Sequence, residues 1–395
     1  MRRGVPIAAA AVCCVLAVPT AVTSASRAQP HRASAPVRRR SGRAPRRRPR
    51  SPAASAARVR RLAIAVRGDR LVDGAGRTVV LHGVNRSGSQ YMCVLGRGVF
   101  DGPADTTSVA AISSWHVNAV RVPVNEDCWL AINGVRGAYA GVPYRAAVER
   151  YIAELNDAGI YAIIDVHWSA PGQRLATGQQ TMLDANHGYT LWRSIARSFR
   201  HDPGVMFDLY NEPHNLAGTP ARAWRCWQDG CDGHAGMGGL VRAVRATGAR
   251  NVILLAGLDW GNDESRWLTH EPADPDRQLA VAFHVYRGHG GCSTETCWAR
   301  TLPVLAAHVP VVADEFGEMQ CGEPEALRWL EGWMSFAQTD GISMLAWSWN
   351  TGGEACAPPR LIAAYDGTPT VYGAAVEALY AAGVPARTSH RHLTR

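Results

Sequence analysis

Val205-Met206-Phe207-Asp208-Leu209-Tyr210-Asn211-Glu212-Pro213-His214 carries the pattern that repeats along this chain. An apolar run of strand length, Val205 to Tyr210, breaks into polar and turn-forming residues. Such a run reads as a strand buried on both faces, as in a parallel sheet. Comparable runs occur at Val79 to Val84, Asn118 to Pro123, Ile160 to Val166, Val252 to Ala256, Leu279 to Phe283, Val309 to Ala313 and Ile342 to Ala346. Helical patterns lie between them. Pro143 to Ala158 has proline in its first turn and Gly159 just past its end, a start and a stop signal. Pro324 to Gln338 and Thr370 to Ala382 read similarly, while the helix before the sixth strand is poorly marked. Eight β/α units over about 310 residues predict an α/β fold, the closed (β/α)8 TIM barrel. Val66 to Arg77, with a Gly-rich turn, predicts a β-hairpin plugging the barrel floor. A doubly wound sheet is the alternative, but no phosphate-cradling glycine fingerprint follows the first strand.

The two ends of the chain differ from this body. The 395 residues carry 42 basic and 33 acidic side chains, net +9, and every basic one is arginine. Fifteen arginines and no acidic residue lie in 1–61, which leaves 27 basic against 33 acidic residues beyond, a body of about −6. Residues 1–26 predict a signal peptide: Arg2 and Arg3, an apolar stretch from Val5 to Val22, then Thr23-Ser24-Ala25. The rival is an uncleaved anchor, since about 18 apolar residues is near the lower limit for spanning. Residues 27–61 are rich in Arg, Pro, Ala and Ser and predict a disordered basic linker. A solvated linker is the preferred reading over electrostatic attachment to anionic cell-wall polymer, a membrane surface or nucleic acid, because no aromatic residues are interleaved for stacking; no specific nucleic-acid partner is expected. The folded barrel domain is expected over 62–385, with a flexible tail at 386–395. A monomer exported to the extracellular space, with no transmembrane domain after cleavage, is the expected state.

Without Cys13 and Cys14, which would leave with the signal, eight cysteines remain, an even number suited to an oxidising compartment. Cys226 with Cys231, and Cys292 with Cys297, are spaced to clip single loops. Cys93 with Cys128, and Cys321 with Cys356, would join neighbouring loops of the barrel. No CxxC spacing occurs, which disfavours zinc. The chain also has 13 tryptophans. Some could line a sugar site, but most are expected in the core.

In a barrel of this type the C-terminal strand ends converge on one pocket. Here those ends are polar: Arg121 on strand two, His167 on strand three, Asn211 and Glu212 on strand four, His284 and Tyr286 on strand six, Glu315 on strand seven, and Trp347-Ser348-Trp349-Asn350 on strand eight. Trp260 follows strand five. Singly, each has a bland reading, such as an ion-pair partner or a core histidine. Together they imply a site, because unpaired buried charge is costly. Two carboxylates at opposed strand ends suit retaining glycoside hydrolysis, one acting as acid/base and the other as nucleophile. Glu212 as the acid would need a raised pKa, and Arg121 would pair with Glu315. Glu318 is a rival nucleophile, set aside because Gly317 suggests that the chain has already left the strand. A metal-dependent hydrolase would be expected to show paired histidines on strand one. Leu81-His82-Gly83-Val84 offers one, so neither metal nor other cofactor is expected. A non-catalytic carbohydrate-binding barrel is disfavoured by the presence of both glutamates.

The ordered set Val120-Arg121-Val122-Pro123, Asp165-Val166-His167-Trp168, Asn211-Glu212-Pro213, His284-Val285-Tyr286, Glu315-Phe316-Gly317 and Trp347-Ser348-Trp349 resembles glycoside hydrolase family 5, the cellulase family, over about residues 64–382. The resemblance implies an eight-stranded barrel and a retaining double displacement on a carbohydrate substrate. In it Glu212 matches the acid/base and Glu315 the nucleophile. Asn211 matches the residue for the sugar 2-hydroxyl, and Arg121, His167, His284 and Tyr286 match the polar shell. Trp347 matches the platform under the sugar. Asp314 departs from the family, where many members have glycine; it could shift a neighbouring pKa or simply point away. Endo-β-1,4-glucanase activity is the first expectation. β-Mannanase, other β-glucanase and exo-β-glycosidase activities remain alternatives.

Overall fold

The computed structural model describes residues 62–318, 323–352 and 359–383. The proposed signal peptide, the basic linker, the C-terminal tail and the Cys321–Cys356 pair lie outside the described residues. Eight parallel strands close a barrel in sequence order: β1 (His82–Asn85), β2 (Ala119–Asn125), β3 (Tyr161–Trp168), β4 (Val205–Asp208), β5 (Ile253–Ala256), β6 (Leu279–Tyr286), β7 (Val311–Gly317) and β8 (Ser343–Ala346). Each overlaps its predicted run.

The helices form where apolar residues recur at helical spacing. Gly188–Phe199 turns Leu191, Trp192, Ile195 and Phe199 inward, one face of a 3.6-residue period. Val142–Asp157 buries Tyr144, Val148, Tyr151, Ile152 and Leu155. Pro324–Asp340 stops at Gly341, which takes the left-handed conformation (φ 67°) that glycine adopts most easily. The weakly marked segment before β6 does not form a full helix. It holds a 3₁₀ turn, Trp267–Thr269, followed by Pro272 and Pro275, which cannot supply backbone donors to a helix.

The N-terminal hairpin pairs Ile64–Arg67 with Arg70–Asp73. Ile64 and Leu71 join Leu81, Ile163, Met206, Leu254, Val312 and Leu345 in one apolar cluster at the N-terminal end of the barrel. Gln278 ties the hairpin down by accepting from Val66 N at 2.7 Å. The floor is thus plugged by side chains, and the open end is the C-terminal one. Ten of the thirteen tryptophans are buried, so core packing accounts for most of them. Trp168, Trp260 and Trp329 keep more exposure.

Three disulfides form among the described residues, with Cα separations of 6.0 Å for Cys93–Cys128, 5.1 Å for Cys226–Cys231 and 5.2 Å for Cys292–Cys297. Cys93 lies after β1 and Cys128 after β2, so this bridge joins neighbouring loops as expected. The other two clip single loops.

One local irregularity matters for the site. Along β7, Val312 faces Ala282 of β6, but the next pairing is Glu315 with His284. On the other side Ala313 faces Met344 of β8, and then Phe316 faces Ala346. Strand β7 therefore carries one extra residue against both neighbours, a bulge at Asp314. Strict alternation would send Asp314 and Glu315 to opposite faces. The bulge lets both point inward.

Candidate active site

The strand ends surround a cleft of about 550 Å³ lined by His167, Gln179, Glu212, Trp260, His284, Tyr286, Glu315 and Trp347, among others. Arg121 and Asn211 lie directly beneath it, fully buried. All nine residues singled out from the sequence therefore gather at one end of the barrel.

Arg121 is the hub. Its Nη1 donates to Glu315 Oε1 at 2.6 Å and to Asn85 Oδ1 at 3.1 Å. Its Nη2 donates to Asn211 Oδ1 at 2.6 Å and Asp208 Oδ2 at 2.7 Å. Asp165 Oδ2 stands 3.2 Å from Nη2, and Asp314 Oδ2 is 3.3 Å from Nε. The planar guanidinium thus bridges β1, β2, β3, β4 and β7, a geometry that lysine cannot reproduce. Burial works against its charge, but Asp165, Asp208, Asp314 and Glu315 hold its pKa well above the ordinary value.

Glu315 receives a second donor, Tyr286 Oη to Oε2 at 2.6 Å. Burial, together with the charges of Glu315 and Glu212, keeps the Tyr286 phenol far above its ordinary pKa, so it acts as a donor. Glu212 stands opposite, with 13% of its side chain exposed. His284 Nδ1 lies 2.9 Å from Glu212 Oε1 and 3.7 Å from Glu315 Oε2. Gln179 Nε2 donates to Glu212 Oε2 at 2.6 Å. One ligand-type atom each of Glu212, His284 and Glu315 fall within 4.8 Å of one another. His284 contacts both carboxylates, and Glu315 also accepts from Tyr286.

The expected rise in the Glu212 pKa is not what the free site shows. Burial pushes it up, but the His284 hydrogen bond, the His284 charge and the Gln179 amide outweigh burial and hold it below the ordinary value. Conversely, burial would lower His284, yet Glu315, Asp314 and Glu212 raise it well above its ordinary value. The proton of this pair therefore rests on the imidazole when the cleft is empty.

The remaining walls are aromatic. Trp347 stacks on His167 with ring centroids 5.3 Å apart, and His167 Nδ1 is fixed by Asp165 Oδ2 at 2.6 Å. Trp260, 42% exposed, stacks on His214 at 3.5 Å and donates its backbone N–H to Pro213 O at 3.1 Å. Asp259 and Trp260 both have left-handed backbones, φ 52° and 62°. Two consecutive non-glycine residues in that region store strain, a feature that clusters at binding sites.

Gly317 is the last residue of β7, and Glu318 lies just past the strand. Glu318 is fully buried and outside the cleft lining, so Glu315 is the β7 carboxylate in the cleft. Asp314 does not point away; the bulge brings it under the site. Sequence reading missed Asn85, Asp208 and Gln179. Asn85 follows Val84 at the end of β1, and Asp208 interrupts an apolar strand, so both carried a signal. Gln179 sits in an irregular loop after β3 and carried none.

Residues 72–353 match the model of the family described as Cellulase (glycosyl hydrolase family 5). Among curated proteins, the chain is 23% identical over 297 residues to a mannan endo-1,4-β-mannosidase of Streptomyces lividans, covering 73% of this chain and 67% of that one. It is 25% identical over 147 residues to endoglucanase 1 of Robillarda sp., covering 32% of this chain and 35% of that one. Among solved structures, a β-glucanase from Saccharophagus degradans in complex with cellotetraose is similar in fold, with a TM-score of 0.65 at 20% identity, covering 82% of this chain and 94% of that one. An endocellulase from Pyrococcus horikoshii gives a TM-score of 0.61 at 18% identity, with coverage of 81% and 99%. With that match extending over most of the barrel, the chain belongs to glycosyl hydrolase family 5 and is a glycoside hydrolase.

Proposed function

We propose that this protein is a retaining endo-β-glycanase in which Glu315 attacks the anomeric carbon and Glu212 serves as acid, then base. The observation that carries this reading is the short gap between the two carboxylates, within 4.8 Å between facing atoms. Retaining enzymes hold them about 5–5.5 Å apart, whereas inverting enzymes need about 6.5–9.5 Å to admit a water. Their environments also fit unequal roles. Glu315 is pinned by Arg121 and Tyr286, while Glu212 shares its proton with an imidazole. When Glu315 becomes an ester, its negative charge is lost and the pull on the neighbouring protons weakens, which favours Glu212 acting as base on water.

The substrate reading is a β-1,4-glucan first and a β-1,4-mannan second. The glucan reading draws on the cellulase motif set and the mannan reading on the similarity to a mannosidase. Trp347 and Trp260 offer the apolar faces on which a pyranose stacks, and Asn211 and His167 the polar contacts. Export is supported by the three disulfides, which persist in oxidising compartments. Among the described residues no helix is long and apolar enough to cross a membrane.

The test is Glu315→Ala assayed on cellopentaose and mannopentaose, with NMR of the first product anomer for the wild type. Turnover should fall at least ~10³-fold. On an aryl glycoside, azide should partly restore it by attacking from the vacated side. Glu318→Gln should remain active. An inverted first product would rule out the double displacement, and a dead Glu318→Gln beside an active Glu315→Ala would move the nucleophile.

A further inference from the structure

We propose that Asp314 is a positioning residue for the catalytic proton: its carboxylate, set against the Nε2 edge of His284 and anchored by Arg121, favours the charged imidazole whose Nδ1 proton is presented to Glu212. This rests on the reading of Glu212 as acid/base, and it adds a buried carboxylate behind the imidazole, away from the cleft lining.

The geometry is as follows. Asp314 is fully buried. Its Oδ1 stands 3.5 Å from His284 Nε2 and its Oδ2 3.3 Å from Arg121 Nε. His284 Nδ1, the other ring nitrogen, is 2.9 Å from Glu212 Oε1. Carboxylate, imidazole and carboxylate thus form one line running from beneath the barrel end up into the cleft. Asp208 reaches Arg121 with Oδ2 alone, at 3.1 and 2.7 Å. Its Oδ1, both oxygens of Asp314 and His284 Nε2 make no ordinary hydrogen bond, so Asp314 and His284 meet as a buried charge pair at 3.5 Å. Burial first, then the charges of Asp314 and Asp165, push Asp208 well above its ordinary pKa despite Arg121. Burial also acts on Asp314, but Arg121 and His284 overcome it and hold Asp314 below its ordinary pKa. Asp314, and not Asp208, is the aspartate that stands against His284.

The other charged groups around His284 fit this assignment. Glu315 of β7 also favours the imidazolium. Arg121 of β2 faces Asp314 directly, with Asp165 of β3 on the far side of the guanidinium. His167 of β3 acts on Glu212 across the cleft. Glu264, in the loop after β5, is pushed well above its ordinary pKa by burial and by Asp263 and Asp314, which disfavours a further negative charge there.

The proton count closes over the cycle. In the free enzyme the His284–Glu212 pair holds one transferable proton, on Nδ1. As the glycosidic C–O bond breaks, that proton passes through Glu212 to the leaving oxygen, and His284 becomes neutral with its remaining proton on Nε2, facing Asp314. In the second step Glu212 takes a proton from the attacking water, and the pair returns to its starting state.

Replacing each aspartate by asparagine separates the charge beside His284 from the one that contacts Arg121 alone. Asparagine at 208 still accepts from Arg121 and leaves the Asp314–His284 pair in place. Asparagine at 314 removes the charge that favours protonated His284, so the pair loses its proton at lower pH. The alkaline limb of kcat/KM on cellopentaose or mannopentaose, whichever is turned over, should therefore move down by ~1–2 pH units in Asp314→Asn. It should stay in place in Asp208→Asn. In parallel, ¹⁵N NMR of the histidine-labelled wild type should show both His284 nitrogens protonated at neutral pH, a readout independent of any substrate and of whether Asp314→Asn folds. A neutral His284, an unmoved limb in a folded Asp314→Asn, or an equal shift in Asp208→Asn would each overturn the proposal. Loss of the retaining reading alone would leave the NMR result intact.

Discussion

Two buried acidic clusters flank the same cleft and solve the problem of burial differently. Beneath the cleft, Asp165, Asp208, Asp314 and Glu315 surround Arg121. Behind the β2 and β3 loops, Glu126, Asp127 and Asp184 are equally buried, but among the described residues none of them pairs with an arginine. There burial first, then the charge and hydrogen bond of Asp184, push Glu126 up to about 10. Burial likewise raises Asp127, although the Ala176 amide and Asn133 offset part of it. Arg121 helps hold Asp314 below its ordinary pKa, even though burial still raises Asp208 beside it; with no cation, Glu126 keeps a proton. The first arrangement provides electrostatics for chemistry, and the second clamps a loop. Asp127 Oδ2 accepts from Ala176 N at 2.8 Å and Asp184 Oδ1 from His187 N at 2.9 Å, which fixes the loop that presents Gln179 to Glu212.

The largest effect should come from making the first cluster resemble the second. Arg121→Met leaves Glu315, Asp208 and Asp314 without their cation. We expect kcat/KM to fall at least ~10³-fold and stability to drop by ~3–5 kcal/mol. Carboxyl pKa values in the folded variant then rise above their unfolded values, so native protein holds more protons than unfolded protein at neutral pH, and stability falls as pH increases. Denaturant titrations should show a larger deficit at pH 8 than at pH 5. An equal deficit at both would mean that Arg121 acts through packing and not through charge.

A smaller loss should follow from loosening the frame of the second cluster. Cys93–Cys128 spans 35 residues and anchors the short helix Glu126–Leu130 that carries Glu126 and Asp127. Loop entropy assigns such a bridge about 4 kcal/mol. The Cys93→Ser/Cys128→Ser variant should lose stability on that order, and its Tm should depend less on alkaline pH as water reaches Glu126.

The smallest effect, of opposite sign, is expected from Glu126→Gln. The amide keeps a hydrogen-bond donor toward Asp184 and removes the group that must stay protonated. Folded Glu126 titrates near 10 against an ordinary 4.5. Wild-type stability from this group is therefore full below about pH 4.5 and declines as pH rises toward 10. The variant should be more stable at pH 8 by on the order of 1 kcal/mol, with a flatter Tm profile between pH 5 and 9. A fall in Tm at pH 8 would show that Glu126 is ionised and paired, erasing the contrast between the clusters.

Much of this molecule was legible in its sequence. Eight apolar runs marked eight strands because strands buried on both faces tolerate few polar residues. The polar residues that ended them marked the cleft because parallel strands deliver their C-terminal ends to one side. Arg121, Glu212, His284, Tyr286 and Glu315 could be found this way, each next to a run. Gln179 could not, since an irregular loop has no periodicity to place its side chains.

Two adjacent acids show where the sequence stopped. Asp314 and Glu315 were readable as strand residues, and alternation would have put them on opposite faces. Only the pairing of β7 with both β6 and β8 inserts the extra residue that turns both inward. The direction of the Glu212 pKa was likewise beyond the sequence, because it depends on His284, 72 residues away, reaching one oxygen while Gln179 reaches the other. Local patterning determined which residues stand at the barrel end. Register and long-range contacts decided which of them share a proton, because hydrogen bonds and charges act over ångströms in space and have no period along the chain.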